Sequence, residues 1–227
     1  MLFDLKGKRR RAVQVTYLGL AILIGLGLIG FGVGSSVNGG LSDIFSGGGG
    51  GSNTANKTLQ KDVDAANRQL ALNPHDTGAL RTLIQRHYQL AGSTENPNTN
   101  TFTAAGKQEL QKASAAWDRY VALTPNPDPA LAAIMVQAYD VTALNVPAKA
   151  MKTAEIVAAA QPSVQAYARI VGYATLAHDT RTADLATRKA LDLTPPGQRA
   201  TVKKQIDQVK AQAAAMASQA GAASGGP

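Results

Sequence analysis

AYARIVGYATLAHDTRTADLATRKALDLTP, from Ala166 to Pro195, is the stretch whose reading decides the fold. It holds two helical patterns separated by a sharp break at His178-Asp179, which reads as a turn. In the second pattern Ala183 and Ala190 are seven residues apart, which puts them on one face of a helix. Side chains that small let a neighbouring helix come close, and Tyr167 and Ile170 of the first helix supply bulk to fill the space. Pro195 ends the pattern, because proline cannot continue a helix interior and restricts the residue before it.

The same kind of ending recurs upstream. LALNP closes at Pro74, VALTP at Pro125, AAAQP at Pro162 and LDLTP at Pro195, at spacings of 51, 37 and 33 residues. Capping residues follow each break: Asp76 or Thr77, Asp128 with Pro129 at the first helical position, Ser163, and Pro195 or Pro196 opening the last helix. The pattern predicts helices over 54–72 and 79–91, then a polar loop, GSTENPNTNTFT, that accounts for the long first period. Ala113 and Trp117 belong to the next helix, Met135 and Tyr139 to the one after, and Ala150 to a third that begins after Asn145-Val146-Pro147. The last helix is expected over 197–218, with Val202, Ile206 and Val209 on one face, and a disordered tail over 219–227. Strand-type runs are missing from residue 53 onward and alanine, the best helix former, is abundant, so the body over 54–218 is expected to be all-α.

The N-terminal quarter reads differently. Lys6, Lys8, Arg9, Arg10 and Arg11 form a basic segment over 1–11, and residues 12–34 are uncharged. Roughly 20 apolar helical residues cross a bilayer core of about 30 Å, so 12–34 is expected to be a transmembrane helix. Cations stay on the cytoplasmic side, and the next one after the span is Lys57. The expected topology is a single-pass cell-membrane protein with a cytoplasmic N-terminus and an extracytoplasmic body, joined by a flexible glycine-rich linker over 35–53. A cleaved secretory signal has an apolar core of about 7–15 residues, shorter than this run.

Composition narrows the chemistry. The chain has no cysteine, which excludes disulfides, thiolate zinc sites and a cysteine nucleophile. The formal charge of +8 divides into +4 over 1–34 and +4 over 35–227, too dilute on the body to suggest nucleic acid as a partner. His75, His87 and His178 have no acid or second histidine at metal-binding spacing, and no nucleophile elbow or phosphate-binding loop is present. No catalytic, cofactor-binding or metal-ligating set is expected, and the chain does not read as an enzyme.

The Tyr167–Pro195 stretch resembles the tetratricopeptide repeat, a pair of antiparallel helices with a period near 34 residues. Tyr167 and Ile170 take the aromatic and leucine positions of its first helix, Ala183 and Ala190 the small positions of its second, and Pro195 its terminal proline. Val171, Ala174 and Thr187 depart from the pattern. The resemblance implies an α-solenoid of about three helix pairs with a C-terminal capping helix. It also implies a concave face, lined by the first helix of each pair, that holds a protein or peptide partner. Carried over by position, that face is Arg81, Gln85, Gln89, Gln137, Arg169 and Gly172. The layout is similar to bacterial single-span tetratricopeptide proteins that accompany secretion and envelope assembly. The expected function is therefore a membrane-anchored interaction scaffold or chaperone-like module, the alternative being a structural spacer or self-assembling, homo-oligomeric subunit of a membrane complex.

Overall fold

The computed structural model describes residues 52–96 and 101–224. The expected basic segment, the transmembrane helix and the linker up to Gly51 lie outside the described residues, as do 225–227 of the expected tail. Among the described residues no helix is long and apolar enough to cross a membrane.

Those residues are predominantly helical, with eight α-helices. In chain order they are α1 (Ser52–Leu72), α2 (Thr77–Gly92), α3 (Ala104–Leu123), α4 (Pro129–Ala138), α5 (Pro147–Ala160), α6 (Val164–Leu176), α7 (Thr180–Asp192) and α8 (Arg199–Ser224). A 3-10 turn, Pro196–Gln198, precedes α8, so neither Pro195 nor Pro196 opens the last helix itself. That helix runs past Ser218, where the sequence pattern ends it, and through residues expected to be disordered. The polar loop after α2 is not wholly irregular: Glu95–Asn96 (β1) pairs antiparallel with Thr101–Phe102 (β2).

The helix boundaries have local causes. The recurrent prolines each stand two or three residues past a helix end: α1, α3, α5 and α7 stop at Leu72, Leu123, Ala160 and Asp192. Five helices open on a side chain that accepts an otherwise unpaired backbone N–H, four of them before α7. Asp76 accepts from Ala79, Thr103 from Gly106, Ser163 from Ala166, and Asp128 from Ala130 with Pro129 at the first helical position. Gly106 is required by close approach, since a Cβ there would fall 2.7 Å from Thr94 Oγ1 and 3.1 Å from the Ala91 carbonyl oxygen.

The α6–α7 turn is one of the two shortest connections between α-helices among the described residues. The Asp179 N–H donates to the Ala174 carbonyl and the His178 N–H to the Thr175 carbonyl, which closes α6 with the paired bonds of a Schellman motif. Asp179 then caps α7 by accepting from the Thr182 N–H and hydroxyl. Two helices therefore share a three-residue connection, and its central residue, His178, sits at φ 58°.

Each helix packs on its neighbour in sequence, and in addition α2 lies against α4 and α6 against α8. Connections this short between packed helices turn the chain back on itself. One continuous core runs from Val63 on α1 to Ile206 on α8. Its largest fully enclosed side chains are Leu80, Ile84, Leu110, Leu131, Met135, Tyr139 and Ile206. Small residues let the helices approach: Ala113 on α3, Ala150 on α5, and Ala183, Ala186 and Ala190 on α7 are all buried.

A left-handed backbone strains any side chain with a Cβ and suits glycine. The His178 side chain is exposed, so His178→Gly is expected to raise stability by up to about 1 kcal/mol, reduced by the entropy glycine adds to the unfolded chain. Equilibrium urea unfolding measures it directly.

Candidate functional site

The six residues expected on the partner-binding face fall on the first helices α2, α4 and α6, but in three different settings. Arg81 is half-exposed, and its guanidinium donates to Asp128 Oδ2 at 2.8 Å, tying α2 to the cap of α4. Gln137 accepts at 2.7 Å from the Tyr88 hydroxyl, a second tie between the same helices. Gln89 accepts from Arg86, which also forms an ion pair with Asp62 of α1 at 2.9 Å, its Nε not aligned for a hydrogen bond. Gln85 is partly exposed.

Arg169 and Gly172 do not share this setting. A Cβ on Gly172 would meet Val209 Cγ1 of α8 at 3.4 Å, so α8 covers that part of α6. Every residue of α6 is at least partly buried. Arg169 lies near enough to Tyr173 for its charge to favour the phenolate, yet burial first, and then Asp140, push the Tyr173 hydroxyl far above its ordinary range. Tyr173 donates to Asp140 Oδ2 at 2.9 Å, and the other oxygen of that carboxylate accepts from Thr142. The structure thus brings Arg81, Gln85, Gln89 and Gln137 to one α2–α4 face, and leaves Gly172 against α8 and Arg169 near Tyr173.

A polar cluster joins α3, α4 and α5, buried at Tyr139 and Ser114 and open to solvent at Lys149 and Asp118. Tyr139 is 1% exposed, and its hydroxyl is 2.9 Å from Ser114 Oγ. Lys149 donates to Ser114 Oγ at 3.2 Å and to Asp118 Oδ2 at 2.6 Å, with its ammonium 5.5 Å from the centre of the Tyr139 ring. Burial pushes the Tyr139 hydroxyl up to about 12, with the Asp118 charge adding to it and the Ser114 bond opposing it. Serine, lysine and tyrosine side by side invite a nucleophile–base reading. The Asp118 contact argues against it, because an ion-paired ammonium has no lone pair to accept the serine proton. A structural tie between α3, α4 and α5 fits the same distances.

His87 supplies the second cluster. It is 6% exposed on α2, and its Nδ1 lies 2.6 Å from Glu109 Oε2 on α3. Lys112 donates to the other Glu109 oxygen at 2.6 Å. Burial alone would raise the Glu109 carboxyl, but hydrogen bonds from Lys112 and His87, and their charges, outweigh it and hold it below the ordinary carboxylate range. Nearby, burial and the Glu95 charge push the Tyr88 hydroxyl up to about 12. Among the described residues no group of three or more His, Asp and Glu side chains is placed to hold a metal ion.

These partners were invisible to local motifs because they are far apart in sequence. Arg81–Asp128 and Tyr88–Gln137 are 47 and 49 residues apart. Those separations approximate the 51-residue spacing between Pro74 and Pro125, so pairing residues one period apart is the signal that would have found them.

No family model, curated protein or solved structure matches the chain.

Removing the hydroxyl in Tyr139→Phe is expected to destabilise the body by about 1–2 kcal/mol, the typical effect of losing a buried hydrogen bond, measured by denaturant unfolding. Glu109 carries a pH dependence of definite sign. Its folded-state carboxyl lies below its unfolded value, so its contribution is present above the unfolded value and is lost as pH falls through the carboxylate range. Between about pH 5 and pH 3 the Glu109→Gln variant should lose stability less steeply than the parent chain, as read by thermal melts across that range.

Proposed function

We propose that this chain is a single-span membrane protein whose body is a tetratricopeptide-like α-solenoid that holds another protein. The helix pairs are α2–α3, α4–α5 and α6–α7, with α1 as a leading half-pair and α8 as the cap. The observation that carries this reading is the placement of α2 beside α4. Because α2 lies against α4, successive pairs present Arg81, Gln85, Gln89 and Gln137 on one continuous polar face. Side-chain amides and guanidinium groups donate to and accept from an extended backbone without requiring one sequence. The anchor rests on the uncharged residues 12–34 and the cations before them, which place the body outside the cytoplasm, at the cell membrane.

A scaffold fits better than an enzyme, since the nearest thing to a catalytic set has its lysine paired with Asp118. It also fits better than an end-to-end self-assembling subunit. The terminal helices turn exposed polar residues outward: Lys61, Asp64, Asn67 and Arg68 on α1, and Lys203, Lys204 and Asp207 on α8. Terminal repeats with polar outer faces close a solenoid. No cofactor or nucleic acid enters the proposal.

A photo-crosslinker placed at Gln85 in membranes, followed by mass spectrometry, tests the face. The expected result is one enriched protein whose yield drops at least about tenfold when the face is altered by Gln89→Glu together with Gln137→Glu, the magnitude typical of losing interface hot-spot groups. Recovery of only abundant bystanders, unchanged by those substitutions, would overturn the reading.

A further inference from the structure

The joint between α3 and α4 is built from polar contacts. Arg81–Asp128 at 2.8 Å and Tyr88–Gln137 at 2.7 Å connect α2 to α4 and its cap. The Asp128 N–H donates to the Tyr120 hydroxyl at 3.2 Å, and Ser114 meets Tyr139 at 2.9 Å. Lys149 reaches back from α5 to Asp118 and Ser114 on α3. Helix-on-helix packing across this joint is sparser than within α2–α3 or between α5 and α6. The chain crosses it once, through Pro125-Asn126-Pro127, whose prolines exclude a continuous helix.

Both ion pairs at the joint are open to solvent. The side chains of Arg81 and Asp128 are 48% and 27% exposed, and those of Lys149 and Asp118 41% and 53%. Pairs of this kind are weak singly and are screened by salt. The neighbouring steps carry ion pairs as well, Asp62–Arg86 and Asp184–Lys210 among them, but α1–α2, α2–α3, α5–α6 and α6–α8 rest on denser helix packing that ionic strength does not weaken in this way.

We propose that this joint is a salt-sensitive hinge about which the α1–α3 block rocks against the α4–α8 block, closed by the Arg81–Asp128 and Lys149–Asp118 ion pairs. Rocking, rather than separation, keeps Leu131 and Met135 covered while changing the angle between α2 and α4. Arg81 and Gln137 belong both to the clamp and to the polar face, so an occupant that takes either group exchanges a joint contact for its own. That coupling rests on the proposed scaffold function; the hinge does not.

The chain contains no cysteine, so spin labels attach only where cysteines are introduced. In the full chain in detergent, Asn67→Cys with Lys204→Cys brackets the joint, and Lys152→Cys with Lys204→Cys lies on one side of it; all three positions are exposed. Raising the salt to about 1 M, where the Debye length is about 3 Å, is expected to broaden the bracketing distance distribution and leave the one-sided pair unchanged. The double variant Arg81→Gln, Lys149→Gln should show the broadened distribution at low salt. Amide exchange in α4 should run about threefold to tenfold faster in that variant, with α6 and α7 unaffected. A bracketing distance indifferent to both salt and the double substitution would overturn the hinge. So would equal broadening of both label pairs, or equal acceleration of all helices, because either means that the whole body loosens. The salt titration uses parental ion pairs, so it decides the matter even where the double variant folds poorly.

Discussion

Burial of the Tyr139 ring, with its hydroxyl still paired, is the constraint on which the middle of the helix array depends. The ring closes the core at the end of α4, where only 1% of the residue is exposed. A phenol taken out of water loses its hydrogen bonds unless the protein returns them. Ser114 returns that bond, Lys149 approaches both groups, and Asp118 balances the ammonium. One buried aromatic thereby dictates polar residues on α3 and α5 as well as apolar ones on α4. The fixed positions of α3, α4 and α5 in turn place Asp128 within reach of Arg81 and Gln137 within reach of Tyr88.

Two kinds of contact divide the labour in this body. Apolar burial joins each helix to its neighbour in the chain. Polar bonds between helices distant in sequence come in large part from long side chains, Arg81, Tyr88, Lys149 and Tyr173 among them. The division has an energetic reason. Hydrophobic burial is strong and non-directional, whereas hydrogen bonds contribute less and fix orientation. An array held by both is firm within a pair and adjustable between pairs.

The helices were legible in the sequence because their boundaries are set locally. Pro74, Pro125, Pro162 and the caps Asp76, Asp128 and Ser163 mark helix ends without reference to anything distant, and the structure places the ends beside them. The buried alanines Ala183 and Ala190 were legible for the same reason, since their spacing alone puts them on one face. Three features escaped. The β1–β2 ribbon is two residues long on each side and has no run of strand-forming residues to announce it. The covering of Gly172 by Val209 depends on where α8 docks, and a helical pattern specifies a buried face but not which helix meets it. The His87–Glu109 pair escaped because proximity across 22 residues is a property of the packed helices and not of a motif.

The neighbour-on-neighbour packing has a consequence for how the chain is made. Most native contacts join segments close together along the polypeptide, which gives a low contact order and favours rapid folding. Because α1 needs only α2 to cover its apolar side, the first helices acquire their partners while later ones are still being synthesised. Assembly can proceed vectorially from the N-terminal end, each new helix finding its template already in place.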